Sequence, residues 1–122
     1  MALEKLISII DDDDSLRVAL VGLVRSLGYR ASGFSSAEEF LAAGGGAGSA
    51  CVVTDIQMPG LSGIELKQRL VEGGCHAPVI MITARNEADL HERARASGAH
   101  CVLKKPFAPD ALIDCLERAL AS

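Results

Sequence analysis

Leu6-Ile7-Ser8-Ile9-Ile10 runs straight into Asp11-Asp12-Asp13-Asp14-Ser15-Leu16, and this junction sets the reading of the rest of the chain. A short block rich in β-branched residues fits a buried strand, and the acidic cluster marks where that strand leaves the core. From Leu16 the period changes. Leu20, Leu23, Val24 and Leu27 recur at the spacing of one helix face, and Gly28 stops the helix. The opening unit is therefore a strand followed by a helix, with its polar residues gathered at the turn between them.

The same unit repeats along the chain. Tyr29 to Phe34 is short and mixed, as an edge strand would be, and Ser36 with Glu39 forms the pattern of a capping box opening a brief helix that ends in Gly44 to Gly46. Cys51 to Asp55 reads as a buried third strand, and Ile64 to Val71 as a helix after a Pro59-Gly60 turn. Pro78 to Thr83 is a fourth strand. Asn86 to Ser97 is a helix with only Leu90 and small alanines to offer a core, so it should be loosely held. Ala99 to Leu103 supplies strand five, and after Pro106 a stripe of Leu112, Cys115, Leu116, Ala119 and Leu120 marks a closing helix. Five strand-then-helix units predict an α/β fold in which a parallel sheet carries helices on both faces.

In such a fold ligands bind outside the carboxyl ends of the strands, and the polar residues fall there. Asp11 and Asp12 end the first strand, Asp55 the third and Thr83 the fourth, while Lys105 follows the fifth. One such residue alone fits a helix cap; several together point to chemistry. If Asp11, Asp12 and Asp55 cluster, their charges repel and raise the carboxyl pKa values unless a cation joins them. A hard, oxygen-seeking divalent ion such as Mg²⁺ suits that set. Asp13 and Asp14 fit a plainer role at the positive end of the following helix.

Ile9-Ile10-Asp11-Asp12, Val53-Thr54-Asp55 with Met58-Pro59-Gly60 and Gly63, Met81-Ile82-Thr83-Ala84, and Lys105-Pro106-Phe107 together resemble the receiver domains of two-component response regulators. The resemblance spans nearly the whole chain. It implies a flavodoxin-like, doubly wound sheet of order 2-1-3-4-5 and an Asp55 that takes a phosphoryl group from a phosphohistidine on a sensor histidine kinase or phosphotransfer protein. It further implies Mg²⁺ held by Asp12, Asp55 and the Gln57 carbonyl, with Asp11 assisting through water. Lys105 would neutralise a phosphoryl oxygen, Thr83 would hydrogen-bond another, and the Lys105-Pro106 peptide would be cis. Gln57 and Arg85 would line the approach of the hydrolytic water. Such a domain catalyses only its own phosphorylation and dephosphorylation. One feature departs from the family: Val102 stands where a switch aromatic usually lies, three residues before the lysine.

Two readings compete. Asp11-Asp12-Asp13-Asp14-Ser15-Leu16 also resembles the D-x-D-x-T/S-L signature of haloacid dehalogenase-type phosphatases, with Asp11 as nucleophile, although the later acidic pair and the length for a substrate cap are missing. A receiver-like module that docks a partner without being phosphorylated is the other.

The bulk properties bound the rest. With 122 residues, 49% of them hydrophobic, the chain reads as one domain over 1-122, and its formal net charge of −4 gives no basic patch for nucleic acid. No apolar run reaches membrane-spanning length, and Met1 to Lys5 lacks a signal peptide's parts, so a cytoplasmic location is expected. Cys51, Cys75, Cys101 and Cys115 lack metal-binding spacing and are expected to be reduced, with Cys75 in a loop the most open to oxidation. The Gly44 to Ser49 stretch lacks the Gly-Lys-Ser/Thr ending of a phosphate-binding loop and reads as a flexible connection. His76, His91 and His100 are scattered and read as surface or loop residues. A homodimer formed on phosphorylation and a DNA-binding effector outside this segment both accord with the resemblance, the latter through the Lys-Pro-Phe context and the short Asp55 to Thr83 spacing.

Overall fold

A computed structural model describes residues 5–84 and 87–121 of the chain. Strands and helices alternate without exception: β1 (Leu6–Ile10), α1 (Asp14–Ser26), β2 (Arg30–Phe34), α2 (Ala37–Ala42), β3 (Ser49–Asp55), α3 (Gly63–Glu72), β4 (Val79–Thr83), α4 (Ala88–Ala96), β5 (Cys101–Lys104) and α5 (Pro109–Ala121). All four strand pairings are parallel, and the order across the sheet is β2-β1-β3-β4-β5. The order reverses between β1 and β3, which places a crevice at the carboxyl ends of those two strands.

Strand alternation sends successive side chains to opposite faces and so builds two apolar layers. On one face Ile7, Ile9, Cys51, Val53, Ile80 and Ile82 meet Leu20 and Val24 of α1 and Leu112, Cys115 and Leu116 of α5. On the other, Ile10, Val52, Val79 and Met81 meet Phe40 of α2, Leu66 and Leu70 of α3, and Leu90 and Ala94 of α4. The central strands are buried on both faces, which explains their near-continuous apolar sequence. Ser8 is the polar interruption in β1, and it is satisfied by Ser49 Oγ at 2.7 Å.

Some boundaries move from those expected, for local reasons. β3 begins at Ser49 rather than Cys51, because Ser49 already pairs with Leu6. β5 begins at Cys101 rather than Ala99, because the Ala99 amide donates to the Ala94 carbonyl and closes the end of α4. At α2 only half of the expected capping box forms. Ser36 Oγ accepts from the Glu39 amide, but the Glu39 carboxylate reaches past the cap to the Ser35 amide. The reciprocal box forms instead at α3, between Ser62 and Glu65. Among the described residues of α4 only Leu90 and Ala94 are buried, in keeping with its sparse apolar content.

The four thiols are free. Cys75 is half-buried and donates to the Gly46 carbonyl at 3.7 Å, so the loop thiol is partly covered. Gly44, Gly45 and Gly46 all have positive φ, and a β-carbon on Gly46 would lie 2.9 Å from Cys75 Sγ. The glycine run thus makes a defined turn against the loop that precedes β4.

Candidate functional site

The carboxyl ends of β1, β3, β4 and β5 bring Asp11, Asp55, Thr83 and Lys105 together, as expected. Asp11 is 1% exposed and Asp55 7%, whereas Asp12 lies open to solvent. Carboxylate oxygens of Asp11, Asp12 and Asp55 all lie within 4.8 Å of one another, and no other such group occurs among the described residues. Lys105 Nζ sits between two of them, 3.3 Å from Asp55 Oδ2 and 3.6 Å from Asp11 Oδ2.

Each acid is held by its own element. Asp11 donates its amide to the Phe34 carbonyl of β2, and its Oδ1 accepts from the Asp13 amide at 2.9 Å. Asp13 turns away to cap α1, its Oδ1 accepting from the Leu16 amide, and Asp14 occupies the first turn, paired with Arg17 at 2.7 Å. Both therefore serve the helix end, as the sequence suggested. This geometry counts against the phosphatase reading, which needs Asp13 to share the site of Asp11.

The loop after Asp55 is fixed from several sides. The Ile56 amide bonds to the Ile82 carbonyl, and the Gly63 amide returns to the Ile56 carbonyl at 2.9 Å. Glu38 of α2 accepts from the Leu61 amide, and that bond holds its carboxyl below the ordinary value. Thr83 is fully buried; its hydroxyl donates to Gln57 Oε1 at 3.0 Å, and its carbonyl accepts from the Lys105 amide. The Lys105-Pro106 peptide is cis. Arg85, expected beside the site, lies outside the described residues. The histidines take no part in the acidic cluster.

Sequence reasoning missed two supports. Arg17 Nη1 donates to the Asp11 carbonyl at 2.8 Å, and its stem lies over Gly33 of β2, where a β-carbon would come within 3.2 Å of it. No sequence signal ties Arg17 to Asp11, because the contact depends on how α1 crosses β2. The α3 capping box, by contrast, was legible as Ser62-x-x-Glu65.

Burial is the main cause raising the carboxyl pKa of both Asp11 and Asp55 above the ordinary 3.8. Lys105 opposes the rise at both positions without cancelling it. Asp11 Oδ2 remains buried with no hydrogen-bond partner among the described residues. An orphaned acceptor, flanked by two further carboxylates, is the arrangement a hard divalent cation satisfies.

The sign of the pH dependence follows. A folded pKa above the unfolded value means the native state binds more protons in that window, so these two groups make stability fall as pH rises from about 3.8 through the raised values. A divalent ion held by these carboxylates would compete with protons for the same oxygens. At Mg²⁺ ten times its Kd, linkage predicts roughly 1.4 kcal/mol of stabilisation, a Tm gain of several degrees. That gain should be present at pH 7.5 and nearly gone at pH 4 in a thermal melt. An equal gain at both pH values would show that the ion binds elsewhere.

The family comparison agrees with this geometry. Residues 7–117 match the model of the response regulator receiver domain. The chain belongs to that family. Among curated relatives, the receiver domain is 39% identical to the transcriptional regulatory protein FixJ of Azorhizobium caulinodans over 93% of its length, and 36% identical to the response regulator protein TmoT of Ectopseudomonas mendocina over 96%. It covers 54% and 53% of those proteins, so the chain spans about half the length of the curated relatives it matches. Among solved structures, FixJ-N superposes with a TM-score of 0.87 at 30% identity, covering 98% of this chain and 96% of that one. The chemotaxis protein CheY4 of Vibrio cholerae gives 0.86 at 26% identity, covering 97% and 100%.

Proposed function

We propose that Asp55 is the phosphoacceptor of this receiver domain, and the observation that carries the reading is the placement of Lys105 Nζ between Asp55 Oδ2 and the buried Asp11 Oδ2. A carboxylate oxygen of Asp55 attacks phosphorus of a phosphohistidine. The new O–P bond forms as the N–P bond breaks, and the imidazole departs to take up a proton. Lys105 then exchanges its contact with the carboxylate for one with a phosphoryl oxygen, acting as a compact point charge. The Thr83 hydroxyl would hydrogen-bond a second oxygen once it leaves its present partner, Gln57 Oε1.

Asp11, Asp12, Asp55 and the Gln57 carbonyl are the residues that would hold Mg²⁺, with Asp11 acting through water. When bound there, the ion neutralises the acidic cluster and a phosphoryl oxygen. The phosphoryl group ends on the domain's own side chain, so the domain turns over no separate substrate and acts as an enzyme only on itself. Its partner is a histidine kinase or phosphotransfer protein. FixJ and the Thauera aromatica relative TdiR are transcriptional regulatory proteins, which supports an output in transcription through an effector outside this segment; a homodimer formed on phosphorylation is part of the same proposal. No helix among the described residues is long and apolar enough to cross a membrane, and a cytoplasmic site of action accords with that.

Incubation with Mg²⁺ and acetyl phosphate, followed by phosphate-affinity electrophoresis, tests the reading. The wild-type chain should shift and revert on hydroxylamine treatment; no shift would favour a docking module that is never phosphorylated. Lys105→Ala should still accept the phosphoryl group but lose most of the phosphorylation-induced change in its amide spectrum. A wild-type spectral change in that variant would remove Lys105 from the response.

A further inference from the structure

The bond from the Thr83 hydroxyl to Gln57 Oε1 joins the ends of β4 and β3 across the mouth of the site. A hydroxyl carries one proton to donate. While that proton points at Gln57, it is not available to an oxygen on Asp55. Thr83 is buried and Gln57 half-buried, so the bond lies at the edge between core and solvent.

We propose that Gln57 is a positioning residue that holds Thr83 in the unphosphorylated arrangement, and that phosphorylation replaces Gln57 Oε1 by a phosphoryl oxygen as the acceptor of the Thr83 proton. The proposal rests on Asp55 being the phosphoacceptor. A charged oxygen makes the stronger hydrogen bond, so the exchange proceeds in the phosphorylated protein, and the broken bond subtracts from its driving force.

The released carboxamide has somewhere to act. Gln57 lines a cavity of about 440 Å³ between the loop after β3 and α4, together with Met58, Leu90 and Arg93. α4 buries only Leu90 and Ala94 among its described residues. Val102 lies half-buried against the same apolar layer and has no ring to rotate. The exchange of partners at Thr83 therefore gives Asp55 a path to α4 that needs no aromatic residue.

A titration with beryllofluoride in Mg²⁺ tests this on the intact chain. Gln57→Met keeps the bulk and removes the acceptor, and it should bind beryllofluoride about five-fold more tightly than wild type, the worth of one hydrogen bond. In a Thr83→Val background the same substitution should change affinity by less than about two-fold, because the bond is already gone. The methyl resonance of Thr83 should also move in unliganded Gln57→Met. Gln57→Ala gives the same tightening if the longer side chain disturbs the loop. Wild-type affinity in both Gln57 variants, or a tightening that persists with Thr83→Val, overturns the latch alone. A wild-type chain that binds no beryllofluoride overturns the phosphoacceptor reading and the latch with it.

Discussion

Asp55→Asn should abolish phosphorylation by acetyl phosphate, with the rate falling by at least roughly three orders of magnitude, while the fold is undisturbed. The substitution keeps the shape of the side chain and removes the nucleophilic charge. It also relieves a burden. Burial and the nearby Asp11 both raise the pKa of Asp55, so the ionised carboxylate sits in an unfavourable place that Lys105 only partly corrects. Lys105 can still pair with Asp11 in the variant, at the 3.6 Å contact already present. Without Mg²⁺ the Tm of Asp55→Asn should equal or exceed that of wild type, because relief of desolvation and repulsion opposes the lost ion pair. Label retained on Asp11 in this variant would return the phosphatase reading to contention. A collapse in Tm would mean that the loss of phosphorylation reports unfolding rather than chemistry.

The second large effect is expected at Gly63, which touches no reacting atom. A β-carbon there would stand 2.5 Å from the Asp55 carbonyl oxygen and 3.2 Å from Ile56 Cα, and both are backbone atoms that cannot swing aside. Alanine is the better helix former by about 1 kcal/mol, so propensity alone predicts that Gly63→Ala stabilises α3. Overpacking against backbone costs roughly 1–3 kcal/mol or more, and here that cost outweighs the gain in propensity. We expect a net loss of about 2 kcal/mol and a Tm lowered by roughly 8 °C. The displaced backbone is that of Asp55 itself, so phosphorylation should slow even at temperatures where the variant stays folded. A Tm at or above wild type would show that the helix end yields more easily than this contact suggests.

These two residues differ in how openly the sequence announces them. Asp55 is a charged residue at the end of the run Cys51 to Thr54, and in company with Asp11, Thr83 and Lys105 at the other strand ends it stands apart from an ordinary surface acid. Gly63 was visible as part of a motif. Its physical reason was not, since the close approach exists only once α3 folds back over the end of β3. Lys105 belongs with Asp55, being a cation directly after a strand. Gln57 belongs with Gly63, because a glutamine in a loop gives no sign that a buried hydroxyl will choose it.

The sequence by itself determined the alternation of strands and helices, the burial of the central strands and the end of the sheet on which the polar residues collect. Those features follow from periodicity, which is a local property of the chain. Tertiary structure alone decided which groups face one another. Arg17 reaches the Asp11 carbonyl because α1 lies over Gly33, and Lys105 reaches Asp11 because β5 ends in the same crevice as β1 despite lying outside β4. Contacts between residues far apart in the chain depend on strand order and helix crossing, which no window of sequence contains.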